Sequence, residues 1–254
     1  MSVECFSSGD LLSVRLGELF VEACESSVRA HGRCVIGVSG GSLPKILSQA
    51  IVANSSIPWS RCFFVFADER CTASLEDPDS NYGACALGLF SHLGAALPQE
   101  NIVAVDPTLH HDPQAMAQSY QRALLGLFPA ASPPQVLPVI DLLLLGMGPD
   151  GHTCSLFPGH PLLDERTLLV APIFDSPKPP PTRVTLTLPV VNAAARVVFV
   201  CTGESKAAPL RDILESDIDG HLLPAKLVKP TASPVVWLVD EPAAKLLVTT
   251  PVKR

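Results

Sequence analysis

The stretch from 141 to 159, DLLLLGMGPDGHTCSLFPG, constrains the fold more than any other part of the chain. It begins with an uninterrupted apolar run, which is typical of a strand buried on both faces of a parallel sheet. Two glycines, an Asp-Gly-His triplet and a proline follow that run. Because open α/β sheets bind ligands just beyond the carboxyl ends of their strands, the stretch predicts a buried strand that ends at a functional site.

The rest of the chain repeats an order of strand followed by helix. Apolar and β-branched runs predict further strands at 34–38, 61–67, 101–105, 168–171, 184–188, 197–201 and 235–239. Helical spacing and stop signals predict helices at 10–31, 44–52, 81–93, 113–127, 204–214 and 242–247. Proline-rich segments at 132–138 and 177–181 predict a connector and a surface loop. The alternation predicts an α/β fold, a doubly wound, mostly parallel sheet with helices on both faces.

Length and composition agree with such a fold. The chain has 254 residues, of which 47% are hydrophobic and 17% are charged. These proportions suit a sheet covered by helices and argue against disorder. The length would allow one large α/β domain or two smaller ones. Since nothing in the sequence requires a division, we predict one α/β domain over residues 1–254.

The overall charge excludes some classes of partner. The formal net charge is −7, which does not favour binding to nucleic acid or to an anionic membrane surface. An anionic small molecule would therefore need locally placed positive charge. No apolar run approaches the roughly 18 residues of a membrane span, and the N-terminal residues do not resemble a secretory signal. We expect a cytoplasmic protein, and the sequence does not indicate an obligate protein partner.

The eight cysteines are scattered, without a Cys-x-x-Cys pair or a Cys/His cluster at the spacing of zinc ligands. They are interpreted as reduced thiols, and no metal site is predicted. Cys154 stands two residues after His152 and could be considered a nucleophile. A free cysteine packed near a turn is the commoner situation, so we interpret this thiol as a bystander.

The segment GMGPDG at 146–151 matches the G-x-G-x-x-G fingerprint of dinucleotide-binding folds and follows a predicted strand. That fingerprint requires its third glycine to enter a long helix. Pro158 follows too soon for such a helix, so the context argues against nicotinamide binding. Glycines at this place would instead allow the backbone to approach a ligand closely.

A second glycine-rich loop, Ser39-Gly-Gly-Ser42, lies between a predicted strand and a predicted helix. It lacks the Gly-Lys-Ser/Thr of a nucleoside-triphosphate P-loop. Two interpretations remain for the loop: a site for one phosphoryl group at a helix N-terminus, or a tight turn with Ser42 as N-cap. Positive charge would favour the phosphate. Three basic residues, Arg70, Arg183 and Lys206, stand at predicted strand ends, and we expect them to converge on one rim of one parallel sheet.

His152 is the candidate for proton transfer. An imidazole with a pKa near its ordinary value of about 6.5 can accept a proton from water at neutral pH. Asp150, two residues earlier, could orient the ring or stabilise its charged form. A single histidine is more often structural, but this one follows a glycine just beyond a buried strand. The pattern therefore predicts a catalytic pair of His152 and Asp150.

The segment GMGPDGHTCSLFPGH closely resembles the signature of the 6-phosphogluconolactonases, Gly-x-Gly-x-Asp-Gly-His-Thr-x-Ser-Leu-Phe-Pro-Gly. Supporting segments occur in family order along the chain: Ser39-Gly-Gly-Ser-Leu-Pro44, Ala67-Asp-Glu-Arg70, Asp79-Ser-Asn-Tyr82, Arg183-Val-Thr-Leu-Thr187 and Gly203-Glu-Ser-Lys206. The resemblance implies hydrolysis of 6-phospho-D-glucono-1,5-lactone to 6-phosphogluconate in the oxidative pentose phosphate pathway, without metal or organic cofactor.

The resemblance also implies roles for particular residues. His152 would activate the attacking water, and Asp150 would tune His152. The phosphate group of the substrate would be bound by the following residues: Gly40, Gly41, Ser42, Arg70 and Arg183, with Lys206 as a contributor.

Two alternatives to the lactonase remain. The related glucosamine-6-phosphate deaminases share the fold and also carry Asp-Gly-His, but they follow it with a segment containing Phe-Asn-Glu-Pro, whose carboxylate assists ring opening. This chain has Ser155-Leu-Phe-Pro158 at that place, with no carboxylate. A non-catalytic sugar-phosphate binder is the second alternative, although such a protein would not need the pair of Asp150 and His152.

Overall fold

A computed structural model describes residues 1–51, 56–131, 136–216 and 223–253. The strands, in chain order, are β1 Ser2–Phe6, β2 Cys34–Val38, β3 Cys62–Phe66, β4 Asp68–Arg70, β5 Ile102–Val103, β6 Leu142–Leu145, β7 Val170–Ile173, β8 Arg183–Leu186, β9 Val197–Cys201, β10 Val236–Asp240 and β11 Val252–Lys253. The helices are α1 Gly9–His31, α2 Leu43–Ile51, α3 Asn81–Cys85, α4 Ser91–Leu93, α5 Pro113–Gly126, α6 Leu188–Ala193, α7 Ala207–Glu215 and α8 Glu241–Ala244.

Eight strands form one sheet in the order β11-β1-β10-β9-β6-β2-β3-β5, in which every described pairing is parallel. The predicted α/β fold with a mostly parallel sheet is thus confirmed. The apolar run that opens the 141–159 stretch forms β6, whose four leucines are fully buried between β2 and β9. Its lack of alternation has the expected cause, since both faces of this strand are covered.

Several element boundaries agree closely with the sequence patterns. The strands at 34–38 and 197–201 have the predicted bounds. Helix α1 begins after Ser8, whose hydroxyl accepts a hydrogen bond from the Leu11 N–H, and it ends at Gly32 with a φ of 82°. The predicted helix at 81–93 is α3 and α4 joined by a π-helical stretch, Ala86–Phe90. The predicted end of the second helix at 52, and most of the connector at 132–138, fall outside the described residues.

Other elements differ from the prediction. Residues 2–6, where no strand is predicted, form β1, which pairs with β10 and β11. Residues 101–105 form only the two-residue strand β5, and the last predicted helix is limited to α8. β1 and β5 are short strands whose pairing partners are distant in sequence, so local pattern alone does not specify them.

A second sheet of three antiparallel strands, in the order β4-β8-β7, is the main departure from the predicted architecture. The predicted strands at 168–171 and 184–188 belong to it as β7 and β8, rather than to the parallel sheet. The two sheets meet at Ala67, whose N–H donates to the Val38 carbonyl and whose carbonyl accepts from the Leu186 N–H. This junction brings the antiparallel sheet beside the carboxyl ends of the parallel strands.

Among the described residues, no helix combines the length and the apolar character that crossing a bilayer would require.

Candidate active site

A cavity of about 290 Å³ opens beyond the carboxyl ends of β2, β6 and β9. This volume lies near the lower end of the range for small-molecule sites, about 300–1,000 Å³. Seven of the eight predicted site residues line it: Gly40, Gly41, Ser42, Arg70, His152, Arg183 and Lys206. The eighth, Asp150, does not line the cavity and contacts it through His152.

The basic residues reach this cavity by a route that differs from the prediction. We expected Arg70, Arg183 and Lys206 at the ends of one parallel sheet, and this is wrong for the two arginines. Arg70 and Arg183 lie opposite each other in register across β4 and β8 of the antiparallel sheet. Only Lys206 follows a strand of the parallel sheet, β9, in the single turn Glu204–Lys206.

The Ser39-Gly-Gly-Ser42 glycine loop is packed against the start of α3. A side chain at Gly40 would place its Cβ 1.9 Å from Asn81 Oδ1, so only glycine fits here. Asn81 is itself held by Asp68, because its amide nitrogen donates to the Asp68 carbonyl (2.8 Å) and carboxylate (3.1 Å). Asn81 belongs to the Asp79-Ser-Asn-Tyr82 segment that supports the family resemblance, and the structure adds that its side chain packs against Gly40.

His152 and Asp150 form the predicted pair. Nδ1 of His152 lies 2.5 Å from Oδ1 of Asp150. The turn that carries them is closed by two backbone bonds, from Gly148 N–H to the His152 carbonyl and from Gly151 N–H to the Gly148 carbonyl. With Nδ1 engaged by the carboxylate, Nε2 is the ring nitrogen left for proton transfer.

Gly148 has a specific role in this turn. A Cβ at this position would lie 2.1 Å from His152 Nδ1 and 2.5 Å from Asp150 Oδ1. Gly148, the second glycine of the G-x-G pattern, therefore makes room for the His152–Asp150 pair. The sequence predicts that a glycine here allows close approach to a ligand, but in the structure the groups that come close are the protein's own side chains.

The surroundings keep the His152 imidazole neutral. Burial lowers the pKa of His152 below its ordinary value of 6.5, against the opposing effect of Asp150. Burial also disfavours ionisation of Asp150, but the hydrogen bond and charge of His152, together with Lys178, outweigh it and lower the pKa of that carboxyl. At neutral pH the pair is therefore a neutral imidazole, which has one basic nitrogen, beside an ionised carboxylate, as a general base requires.

Arg183 is only 2% exposed and most of its donors are used internally. Its Nε donates to the Pro180 carbonyl, and its Nη2 donates to the carbonyls of Lys178 and Pro179. Its Nη1 donates to Ser155 Oγ at 3.3 Å. Four of the five guanidinium N–H groups are thus engaged, so this arginine fastens the 178–180 loop as well as lining the cavity.

Arg70 has more freedom to bind a ligand. Its Nη1 donates to the Asp79 carbonyl, whereas its Nε is buried and makes no hydrogen bond to the described residues. Ser39 Oγ, in the glycine loop, is likewise buried without a hydrogen bond within the described structure. Burial and the nearby Arg70 both lower the pKa of Arg183. An anion between the two guanidinium groups would relieve this repulsion.

Lys206 adds a third positive charge at the cavity. Burial lowers the pKa of its ammonium, as expected for a cation that is half removed from solvent. The carboxylate of Asp68 is the acidic group lining the cavity, and it lies 4.0 Å from both Arg70 Nε and Arg183 Nη1. Basic side chains therefore outnumber acidic ones there, in contrast to the net negative charge of the whole chain.

Ser155 and Phe157 carry contacts that the sequence does not reveal. Ser155 Oγ donates to Asp68 Oδ2 at 2.7 Å and accepts from Arg183. The Phe157 ring lies 4.8 Å from the His152 ring. The Arg183 guanidinium lies 5.7 Å from the centre of the Phe157 ring. The segment after the histidine therefore links the candidate base to the two-arginine region.

Cys154 lines the cavity, but the surroundings do not activate it. Burial raises the pKa of the Cys154 thiol far above its ordinary value, with a further contribution from Asp68. A thiol held in its protonated form is a poor nucleophile, in agreement with its interpretation as a bystander.

Comparison with known proteins places this site in a family. Residues 7–237 match the family model described as glucosamine-6-phosphate isomerases/6-phosphogluconolactonase, and the chain belongs to this family. A curated 6-phosphogluconolactonase from Rattus norvegicus is 44% identical over 96% of this chain and 93% of its own length.

Solved structures agree with this placement. The 6-phosphogluconolactonase of Trypanosoma cruzi superposes with a TM-score of 0.85 at 26% identity, covering 97% of each chain. A monomeric glucosamine-6-phosphate deaminase also shares the fold, with a TM-score of 0.78 at 20% identity over 97% of this chain and 100% of its own. The fold therefore does not separate lactonase from deaminase, and the site must do so.

Proposed function

We propose that this protein hydrolyses 6-phospho-D-glucono-1,5-lactone to 6-phospho-D-gluconate, with His152 as the general base. The observation that carries the proposal is the 2.5 Å contact between His152 Nδ1 and Asp150 Oδ1 at the edge of a cavity lined by Arg70, Arg183 and Lys206. The activity also agrees with the relatives, which are named 6-phosphogluconolactonases over nearly the whole chain length.

The reaction needs one proton to be moved twice. His152 Nε2 accepts a proton from water while the water oxygen attacks the lactone carbonyl, and Asp150 stabilises the imidazolium that forms. The tetrahedral intermediate then collapses and the bond from the carbonyl carbon to the ring oxygen breaks. The imidazolium returns the proton to that oxygen, which becomes a hydroxyl group, and the new carboxylic acid ionises in solution.

In our proposal the phosphate group binds in the same cavity, at the end away from His152. Backbone N–H groups of Gly40 and Gly41, the Ser42 hydroxyl and the free donors of Arg70 contact the phosphoryl oxygens, and Lys206 adds charge. Arg183 contributes its charge and its one uncommitted N–H group. A planar guanidinium suits two-point contact with phosphate, whereas an ammonium acts as a point charge.

The contacts of the 155–158 segment support hydrolysis over deamination. Ser155 and Phe157 are committed to Asp68, Arg183 and the His152 ring. The segment supplies no carboxylate that could assist the opening of an amino sugar.

The direct experiment is a pH-stat assay of lactone hydrolysis, corrected for the slow spontaneous opening of the lactone. We expect the purified protein to accelerate acid release well above background and to leave glucosamine 6-phosphate unchanged. Release of ammonia from glucosamine 6-phosphate would favour the deaminase instead. A rate equal to the background, with 6-phosphogluconate still bound, would identify a non-catalytic binder.

The substrate in this proposal is a free sugar phosphate, handled in the cytoplasm without nucleic acid, metal or an obligate protein partner. The formal net charge of −7 supports the exclusion of nucleic acid. Gel filtration of the active protein tests for an obligate protein partner. An assay in EDTA tests for a metal, since activity should persist in the chelator.

A further inference from the structure

Lys178 stands beside the catalytic pair although no sequence motif points to it. Its Nζ lies 3.4 Å from Asp150 Oδ2, while the other carboxylate oxygen, Oδ1, lies 2.5 Å from His152 Nδ1. The carboxylate thus joins an ammonium on one side to an imidazole on the other. Each partner uses a different oxygen, so the two contacts restrict the rotation of the Asp150 carboxylate.

The backbone around Lys178 is held by the protein interior. The Lys178 carbonyl accepts from buried Arg183 at 2.9 Å and from the Ser176 hydroxyl at 2.8 Å, and the Lys178 N–H donates to Ser176 Oγ. Arg183 also binds the carbonyls of Pro179 and Pro180. A surface lysine usually loses much rotamer entropy when it forms an ion pair, but here the main chain that carries it is already fixed.

We propose that Lys178 is a positioning residue of the lactonase site: it holds the Asp150 carboxylate so that His152 presents Nε2 to the substrate. This inference rests on the proposed function, because it assigns Lys178 a role in the same reaction. Arg183 then has a second task, since it fixes the loop from which Lys178 extends.

The charge of Lys178 has a further consequence for the base. Burial has the largest effect on the pKa of His152 and lowers it, Asp150 and Asp68 raise it, and Lys178 lowers it further. Lys206 lies close enough to interact with Asp150 and with Lys178. An Asp150 carboxylate without Lys178 would orient the imidazole but would also stabilise its protonated, inactive form. Lys178 opposes that effect together with burial, and the ring thus stays available as a base near neutral pH.

The test compares Lys178→Met with the wild type. Methionine keeps an unbranched apolar stem while removing the charge, and the loop remains fastened through backbone atoms. Lys178→Arg is the conservative variant, and Lys229→Met is the matched control, because Lys229 is exposed and does not line the cavity. The readouts are kcat, KM, the pH dependence of kcat/KM and an NMR titration of the His152 ring in the ligand-free protein.

For Lys178→Met we expect kcat to fall by about tenfold, the lower end of the effect known for partners that orient metal-ligating side chains, with KM changed less than about twofold. The acidic limb of the profile and the NMR titration of His152 should both move to higher pH, since a cation has been removed. Lys178→Arg should restore both properties, and Lys229→Met should match the wild type.

An unchanged kcat and pH profile would overturn the inference. A raised KM at constant kcat would also overturn it, because it would make Lys178 a substrate ligand, and so would equal effects of Lys178→Met in the wild type and in Asp150→Asn. If Lys178 acts through Asp150, its loss should matter less once that carboxylate is gone. A wild type without lactonase activity would refute the proposed function, whereas an unmoved NMR titration in Lys178→Met would refute the positioning role alone.

Discussion

The Phe157 ring packs against the His152 ring at a centroid distance of 4.8 Å, with 37° between the two planes. Phe157 is 1% exposed, so it forms a rigid apolar wall for the imidazole. This wall contributes to the burial that lowers the pKa of His152. The 155–158 segment, which stands out in the sequence only through the family resemblance, thus contacts the candidate base His152.

Replacing Phe157 by alanine should destabilise the protein by about 3–5 kcal/mol, the usual cost of removing a buried aromatic ring. Phe174→Ala is the matched control, because Phe174 is 58% exposed, and we expect its effect to remain within about 0.5 kcal/mol. Urea denaturation measures both values. Equal small losses for the two variants would show that the Phe157 ring is not part of the core.

His152→Ala should reduce kcat by about 10² or more, the usual contribution of a general base. The affinity for 6-phosphogluconate should change little, because the phosphate contacts come from other residues. Steady-state kinetics and calorimetric titration of 6-phosphogluconate provide the two measurements. An unaltered turnover number would remove His152 from the mechanism.

Arg70 and Arg183, which pair across β4 and β8, should respond differently to substitution. Arg70→Ala removes a partly free guanidinium, so we expect KM to rise by about tenfold or more, the value of a charge-assisted hydrogen bond, with little loss of stability. Arg183→Ala removes four internal hydrogen bonds and one of the two guanidinium groups that lie 4.0 Å from the Asp68 carboxylate. We expect it to lower the free energy of unfolding by about 3–5 kcal/mol.

Kinetics and denaturation of both variants separate these roles. A large stability loss in Arg70→Ala with a small one in Arg183→Ala would reverse the assignment.

The pH profile should reveal the state of His152. In the proposed mechanism the neutral form of His152 is the active one, so kcat/KM should fall as pH drops through the pKa of His152, which burial lowers below 6.5. Asp150→Asn removes the strongest stabiliser of the imidazolium, and the acidic limb should therefore move to lower pH. At the same time kcat should fall, by up to about 10⁴ if the wrong tautomer is adopted. A limb that moves to higher pH would show that Asp150 does not stabilise the charged ring.

Glu69 should make stability depend on pH. Burial raises the pKa of Glu69 from 4.5 to about 6, although the N–H groups of Arg70, Asn81 and Tyr82 oppose the change. The folded state therefore binds a proton that the unfolded state has lost, and this contribution disappears as pH rises from 4.5 through 6. It amounts to about 2 kcal/mol.

Glu69→Gln lacks the titrating group and serves as the reference. The stability of the wild type relative to this variant should decrease between these pH values, as measured by urea denaturation at several pH values. A difference that stays constant or grows with pH would show that the hydrogen bonds dominate burial at Glu69.

Local sequence was sufficient for the central part of the fold. Neighbours along the chain determine three features: the apolar run of β6, the strand β2 before the Ser39-Gly-Gly-Ser42 glycine loop, and the caps of α1. Parallel topology then places the ends of such strands on one rim. For this reason the sequence alone predicts that the Ser39-Gly-Gly-Ser42 glycine loop, Lys206 and His152 lie near one rim of the sheet.

Tertiary structure decided the remaining features, because they depend on contacts between distant segments. Ser155 meets Asp68 across 87 positions of sequence, and Arg70 meets Arg183 only because β4 and β8 form a separate antiparallel sheet. The assignment of one domain to the whole chain and the roles of the site residues stay predictions.

What the sequence alone determined is therefore the central strand and the His152–Asp150 pair, since two residues on one short turn are brought together by local geometry. What only the tertiary structure decided is the support of that pair by Phe157 and Lys178. Packing of an aromatic ring and placement of a charge depend on which segments the fold brings side by side, and no local pattern encodes that choice.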